Sequence, residues 1–170
     1  RRDSLRTQYQ GERKDLLVGL AWNSVHRTMG GRKSLSLSGY APLTEISGIR
    51  FVDLQYGDTA AEREAFKTYT GRDVLHDPDI DSLQDLDGFC AQVAAMDLVI
   101  SVSTTTVHIA GALGVPTWVL LDTAPLSRWM REGETSHLYS SVRLYRQHQA
   151  GEWADVVAAV KKDLSRLSTS

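Results

Sequence analysis

The stretch Leu98-Val-Ile-Ser-Val-Ser-Thr-Thr-Thr-Val-His-Ile-Ala-Gly-Ala-Leu-Gly-Val-Pro116 decides the fold. Residues 98–102 read as a buried strand, and a tight turn follows. A helix over 104–113 is then stopped by Gly114, with Pro116 just beyond. Ser103 is a natural N-cap, which predicts that the helix begins at Thr104. Three consecutive threonines suit a helix poorly, because β-branched side chains lose rotamer freedom there. Their hydroxyls, with the unpaired amides and positive dipole end of a helix, make an anion site the natural reading. His108 falls four residues after Thr104 and three after Thr105, on their face and tilted toward the same end. The competing reading is a capped core helix that carries a structural histidine. Gly111 would let the helix pack closely on a neighbour.

Outward from this unit the chain alternates strands and helices. Leu16–Trp22 reads as a buried strand, and residues 39–46 as a short helix with Tyr40, Leu43 and Ile46 on one side. Residues 49–54 form a second strand. Thr59-Ala-Ala-Glu62 matches a capping box that opens a helix presenting Ala65, Phe66 and Tyr69. A short strand near Val74-Leu75 precedes an acidic loop from Asp77 to Asp85. A helix over 86–95 carries Leu86, Phe89, Cys90 and Val93, with Cys90 expected in the core. Thr117–Leu121 and Val142–Tyr145 are further strands. Trp153, Val156, Val157, Val160, Leu164 and Leu167 stripe a final helix. This alternation implies an α/β fold, a Rossmann-like doubly wound parallel sheet. Residues 1–15 read as a peripheral N-terminal segment, and 16–167 as the domain.

Ligands of such sheets bind at the carboxyl ends of the strands. The loop after the first strand is Gly-rich and basic and offers Asn23, Ser24, His26, Arg27, Arg32 and Lys33. Arg32 or Lys33 could reach a diphosphate from there; the competing reading is a solvated basic loop. Asp58, in the Gln55-Tyr-Gly-Asp58 turn, is a candidate for ribose hydroxyls or equally for a helix-start charge. Asp122 and the Arg128-Trp129 pair are weaker candidates for the cleft.

The 170 residues carry a net charge of −2, with Lys and Arg numbering 19 and Asp and Glu 21. No clustered basic excess suggests nucleic acid as a partner. One cysteine excludes an internal disulfide. No apolar run is long enough for a membrane span, and a cytoplasmic location is the simplest expectation. No Walker loop, G-x-G-x-x-G, nucleophile elbow or metal cluster is present.

The motifs resemble one family. Val18-Gly-Leu-Ala-Trp22, Phe51-x-x-Leu54-Gln55-x-Gly57, Asp97–Thr104, His108–Leu121, Arg128-Trp129 and Arg143-Leu-Tyr-Arg-Gln147 recur in this order in bacterial glycosyltransferases related to the heptosyltransferases. The branch most similar is often fused to tetratricopeptide repeats and is distantly similar to O-GlcNAc transferase. The resemblance covers about residues 16–165. It implies the C-terminal, donor-binding half of a GT-B fold, with a nucleoside-diphosphate sugar as donor substrate and no metal or other cofactor. It implies diphosphate contacts from Ser103, Thr104, Thr105 and His108, and from Trp22, Asn23, Ser24 and Arg32 or Lys33. Gln55, Gly57 and Asp58 would lie near the nucleoside, and residues about 80–86 near the base. Many relatives carry Asp where this chain has Ser103. The catalytic base of such enzymes belongs to an N-terminal, acceptor-binding domain, so no catalytic residue is assigned here, and little turnover is expected of this domain alone. The alternatives are a GT-B-type nucleotide-sugar epimerase or hydrolase, and a non-catalytic binding or interaction module.

Overall fold

A computed structural model describes residues 1–12, 14–24 and 30–168. The strands are β1 (Leu16–Ala21), β2 (Ile49–Asp53), β3 (Val74–Leu75), β4 (Leu98–Val102), β5 (Thr117–Leu121) and β6 (Val142–Arg146). They form one sheet in the order β3-β2-β1-β4-β5-β6, with every pairing parallel. The order reverses between β1 and β4, which is the switch point where doubly wound sheets hold ligands.

Strand residues alternate between two apolar layers. Val18, Leu20, Phe51, Ile100 and Leu120 face one side, and the 3-10 segment Leu37–Glu45 and the last helix, α6 (Ala154–Ser168), cover it. Leu17, Val52 and Val99 face the other, beneath α1 (Arg2–Gln10), α4 (Leu86–Ala94) and α5 (Thr105–Ala112). A smaller cluster joins Val119, Leu121, Val142 and Leu144 to Val107 of α5 and Trp129. Parallel strands covered on both faces bury nearly every residue, which is why they read as continuous apolar runs. Gly19 in β1 is required by this packing, because an added Cβ would stand 2.2 Å from Leu54 Cδ1.

The helix expected at 39–46 is a 3-10 segment containing Pro42, whose missing amide does not fit an α-helical interior. The segment expected at the periphery holds α1, with Leu5 and Tyr9 buried; the Tyr9 hydroxyl donates to Asp77 Oδ2 at 2.6 Å. Helix α3 (Ala60–Thr70) starts where its signal lies, but the capping box does not form. Thr59 donates instead to the buried Asp53 carboxylate, and Glu62 accepts from Trp22 Nε1 at 2.9 Å. A buried carboxylate has more to lose than a helix end that water can reach. Asp58 Oδ1 accepts from the Ala60 amide in place of a Thr59 cap. Of the side chains assigned to that helix face only Phe66 is buried; Ala65 and Tyr69 are exposed. Leu86 and Leu167 are exposed as well, and Cys90 is half-buried.

Candidate functional site

At the carboxyl ends of β1 and β4 lies a cleft of about 480 Å³. Its floor is the turn from β4 into α5. Ser103 does not cap α5: Thr104 occupies the N-cap position, with extended backbone and no side-chain cap bond. Ser103 Oγ accepts from Trp129 Nε1 at 2.8 Å, so the hydroxyl is engaged by the loop after β5 rather than by the helix. The first-turn amides of α5 are therefore left without a capping side chain, and an anion is the natural partner for them.

The three threonines have separate duties. Thr104 is buried and its Oγ1 lies 3.2 Å from Ser101 Oγ. Thr106 is buried and donates to the carbonyl of Leu54, tying α5 to the end of β2. Thr105 is exposed on the cleft.

Two cations face the same space. Lys33, at the end of α2 (Gly30–Lys33), is buried to 6% exposure and makes no hydrogen bond or ion pair among the described residues. Burial pushes its ammonium below the ordinary value; Asp122 opposes the shift, and Arg128 and Arg32 add to it. Arg128 stands on the 3-10 turn Ser127–Trp129 and lines the same cleft, near enough for its charge to act on Lys33. The described lining contains no Asp or Glu, although the whole chain is slightly acidic. Tyr56, Leu83, Leu86, Phe89 and Ile109 give the cleft apolar lining besides the cations.

His108 is stacked on Trp129, with ring centroids 5.5 Å apart, and meets the Tyr139 ring edge-on at 5.8 Å. Its Nδ1 is 3.0 Å from Tyr139 Oη and its Nε2 3.0 Å from Arg128 Nη1. Burial and then the Arg128 charge hold it below the ordinary histidine value. Gly111 admits the close approach that its sequence position suggests: an added Cβ would stand 2.5 Å from Tyr139 Cγ.

The cleft thus brings together Ser24, Lys33, Ser103, Thr104, Thr105 and His108, with the weaker candidate Arg128, from among the sequence candidates. The others lie outside its lining. Arg32 is bound to Asp122 Oδ2 at 2.7 Å and to the Ala124 carbonyl, fixing the first loop to the loop after β5. Gln55 Oε1 accepts from the amides of Trp22 and Asn23 at 2.9 and 2.8 Å, which makes it a brace between β1 and β2. Trp22 is wholly buried, and Asn23 Oδ1 accepts from Ser34. Gly57 serves the turn after β2 with a φ of 88°, and Asp58 serves the helix start. His26 and Arg27 lie outside the described residues. The remaining lining residues are Thr106, the third of the threonine run, and Tyr56, Phe89, Ile109 and Leu126, which had no site signal of their own; Ser82, Leu83 and Leu86 fall where the family resemblance places the base.

No protein-family profile matches the chain. Protein FlbA of Caulobacter vibrioides is 34% identical over 155 residues, covering 90% of this chain and 26% of that protein. Among solved structures, the Escherichia coli ADP-heptose LPS heptosyltransferase II superposes with a TM-score of 0.71 at 15% identity, covering 99% of this chain and 51% of that one. The E. coli heptosyltransferase WaaC with ADP-2-deoxy-2-fluoro heptose gives a TM-score of 0.60 at 18% identity, covering 98% and 47%. The fold is that of one half of a heptosyltransferase-type GT-B structure. The chain spans about a quarter of FlbA's length and about half of each heptosyltransferase. No helix among the described residues is long and apolar enough to cross a membrane.

Proposed function

We propose that this chain is the donor-binding half of a glycosyltransferase and holds the nucleoside diphosphate of a sugar nucleotide in the cleft between β1 and β4. One observation carries the reading: Lys33 and Arg128 converge with the uncapped amides of α5 on a cleft whose described lining has no carboxylate. Like charges set facing each other are unfavourable unless an anion lies between them. Leu83, Leu86 and Phe89 offer apolar surface that suits a nucleobase, and the α5 turn in the same cleft suits the diphosphate.

In glycosyl transfer the bond from the anomeric carbon to the diphosphate oxygen breaks as the acceptor oxygen bonds to that carbon. Charge accumulates on the leaving diphosphate. Fixed amide dipoles and two cations placed there stabilise that charge more than the ground state. The acceptor and the base that deprotonates it would come from the other half of such a fold, since the chain spans about half of each heptosyltransferase. An epimerase or hydrolase reading is disfavoured by the lack of any acidic side chain in the described lining.

Thermal shift and calorimetry with UDP, GDP, ADP and CDP, free and sugar-linked, test the proposal. Binding of at least one, without measurable sugar transfer by the chain alone, is the expected outcome. Failure of all of them would favour a non-catalytic interaction module, and efficient transfer by the chain alone would refute the half-enzyme reading.

A further inference from the structure

We propose that Arg128, rather than His108, supplies the second cationic contact to the diphosphate, and that His108 is a neutral positioning residue that aims it; the inference rests on the donor-binding reading above. An arginine side chain carries donors and no acceptor. Arg128 Nη1 lies 3.0 Å from His108 Nε2, so that nitrogen must present its lone pair. The single ring proton is then on Nδ1, 3.0 Å from Tyr139 Oη, which accepts it. Both ring nitrogens are committed within the protein, and His108 has no donor left for a ligand.

The ring is also fixed in place. It is held between Trp129 and Tyr139, Trp129 is wholly buried with its Nε1 on Ser103, and Tyr139 packs on Gly111. The ring therefore acts as a rigid acceptor on an otherwise exposed loop arginine. A guanidinium held by one bond keeps its other donors, and those of Arg128 meet no described residue. Protonating His108 would remove the lone pair and set a second positive charge against Arg128.

Isothermal calorimetry with the tightest-binding nucleoside diphosphate from the screen above tests this on Arg128→Ala, His108→Ala, His108→Gln and the Arg128→Ala/His108→Ala pair. Arg128→Ala is expected to weaken binding by about tenfold to 100-fold, with the free nucleoside unaffected. His108→Ala should weaken it by a lesser factor and add nothing in the Arg128→Ala background. His108→Gln keeps a neutral acceptor and should restore most of the affinity. An equal loss from His108→Ala in both backgrounds would make His108 the direct ligand and overturn the proposal. A long-range ¹H–¹⁵N imidazole spectrum at neutral pH reads the geometry without any nucleotide. Protonated Nδ1 with bare Nε2 is expected, and protonated Nε2 would sink the idea. Failure of the unmodified chain to bind any nucleoside diphosphate would instead remove the donor-binding reading, and with it a diphosphate role for Arg128, while the spectrum still decides how His108 and Arg128 are joined.

Discussion

Replacing Lys33 with methionine separates a ligand-binding cation from a structural one, because the two roles predict opposite changes. Methionine keeps an unbranched, apolar stem of similar length and removes the charge. Lys33 is nearly buried and has no ion-pair partner among the described residues, and burial outweighs the favourable charge of Asp122, so its ammonium is a burden on the folded chain. Relieving it should raise stability by about 0.5–1 kcal/mol, which for a chain of this size lifts Tm by about 1–4 °C. A charge-assisted hydrogen bond to phosphate is worth about 1.5–3 kcal/mol, so Lys33→Met should weaken nucleoside diphosphate binding by about 10- to 150-fold. Differential scanning fluorimetry on the free protein and calorimetric titration on the same preparation give both numbers. A Tm lower by several degrees with unchanged affinity would refute the reasoning and make Lys33 part of the scaffold.

Gly111→Ala places a methyl against the Tyr139 ring, and overpacking of this kind costs about 1–3 kcal/mol, read as an earlier midpoint in urea unfolding. Because the folded chain holds His108 below 6.5, the unfolded chain takes up a proton that the folded one refuses; stability from this site is full above about pH 7 and falls as the pH drops through 6.5. Unfolding midpoints measured between about pH 7 and 5 should fall more steeply for the native sequence than for His108→Gln, and parallel curves would contradict the assignment.

The fold was largely written in the chain's periodicity. Buried parallel strands appear as short apolar runs, and Gly114 with Pro116 marks the end of α5 unambiguously. What pattern could not carry was the competition among partners brought together from afar. Thr59 looks like a helix cap, but the buried Asp53 takes its hydroxyl. Ser103 looks like another, but Trp129 arrives with an indole N–H that needs an acceptor. Gln55 and Arg32 resemble ligand contacts because they flank the cleft, yet each spends its hydrogen bonds holding loops together. Arg128 was only a weak candidate because its relation to His108 is tertiary, the two lying 20 positions apart with a strand between them. Helix α1 gave little signal, since only Leu5 and Tyr9 of its nine residues face the core.

The most direct test of the central claim is a titration of the ¹⁵N-labelled chain with nucleoside diphosphates, followed by amide shifts. The largest changes should fall on Thr104, Thr105 and Thr106 at the start of α5, with a second group around Lys33 and Arg128. A nucleoside lacking phosphates should leave the α5 turn undisturbed and move only residues near Leu83, Leu86 and Phe89. Shifts confined to the far edge of the sheet, around Arg143 and Asp163, would contradict the account, as would a full spectrum that no nucleoside diphosphate perturbs.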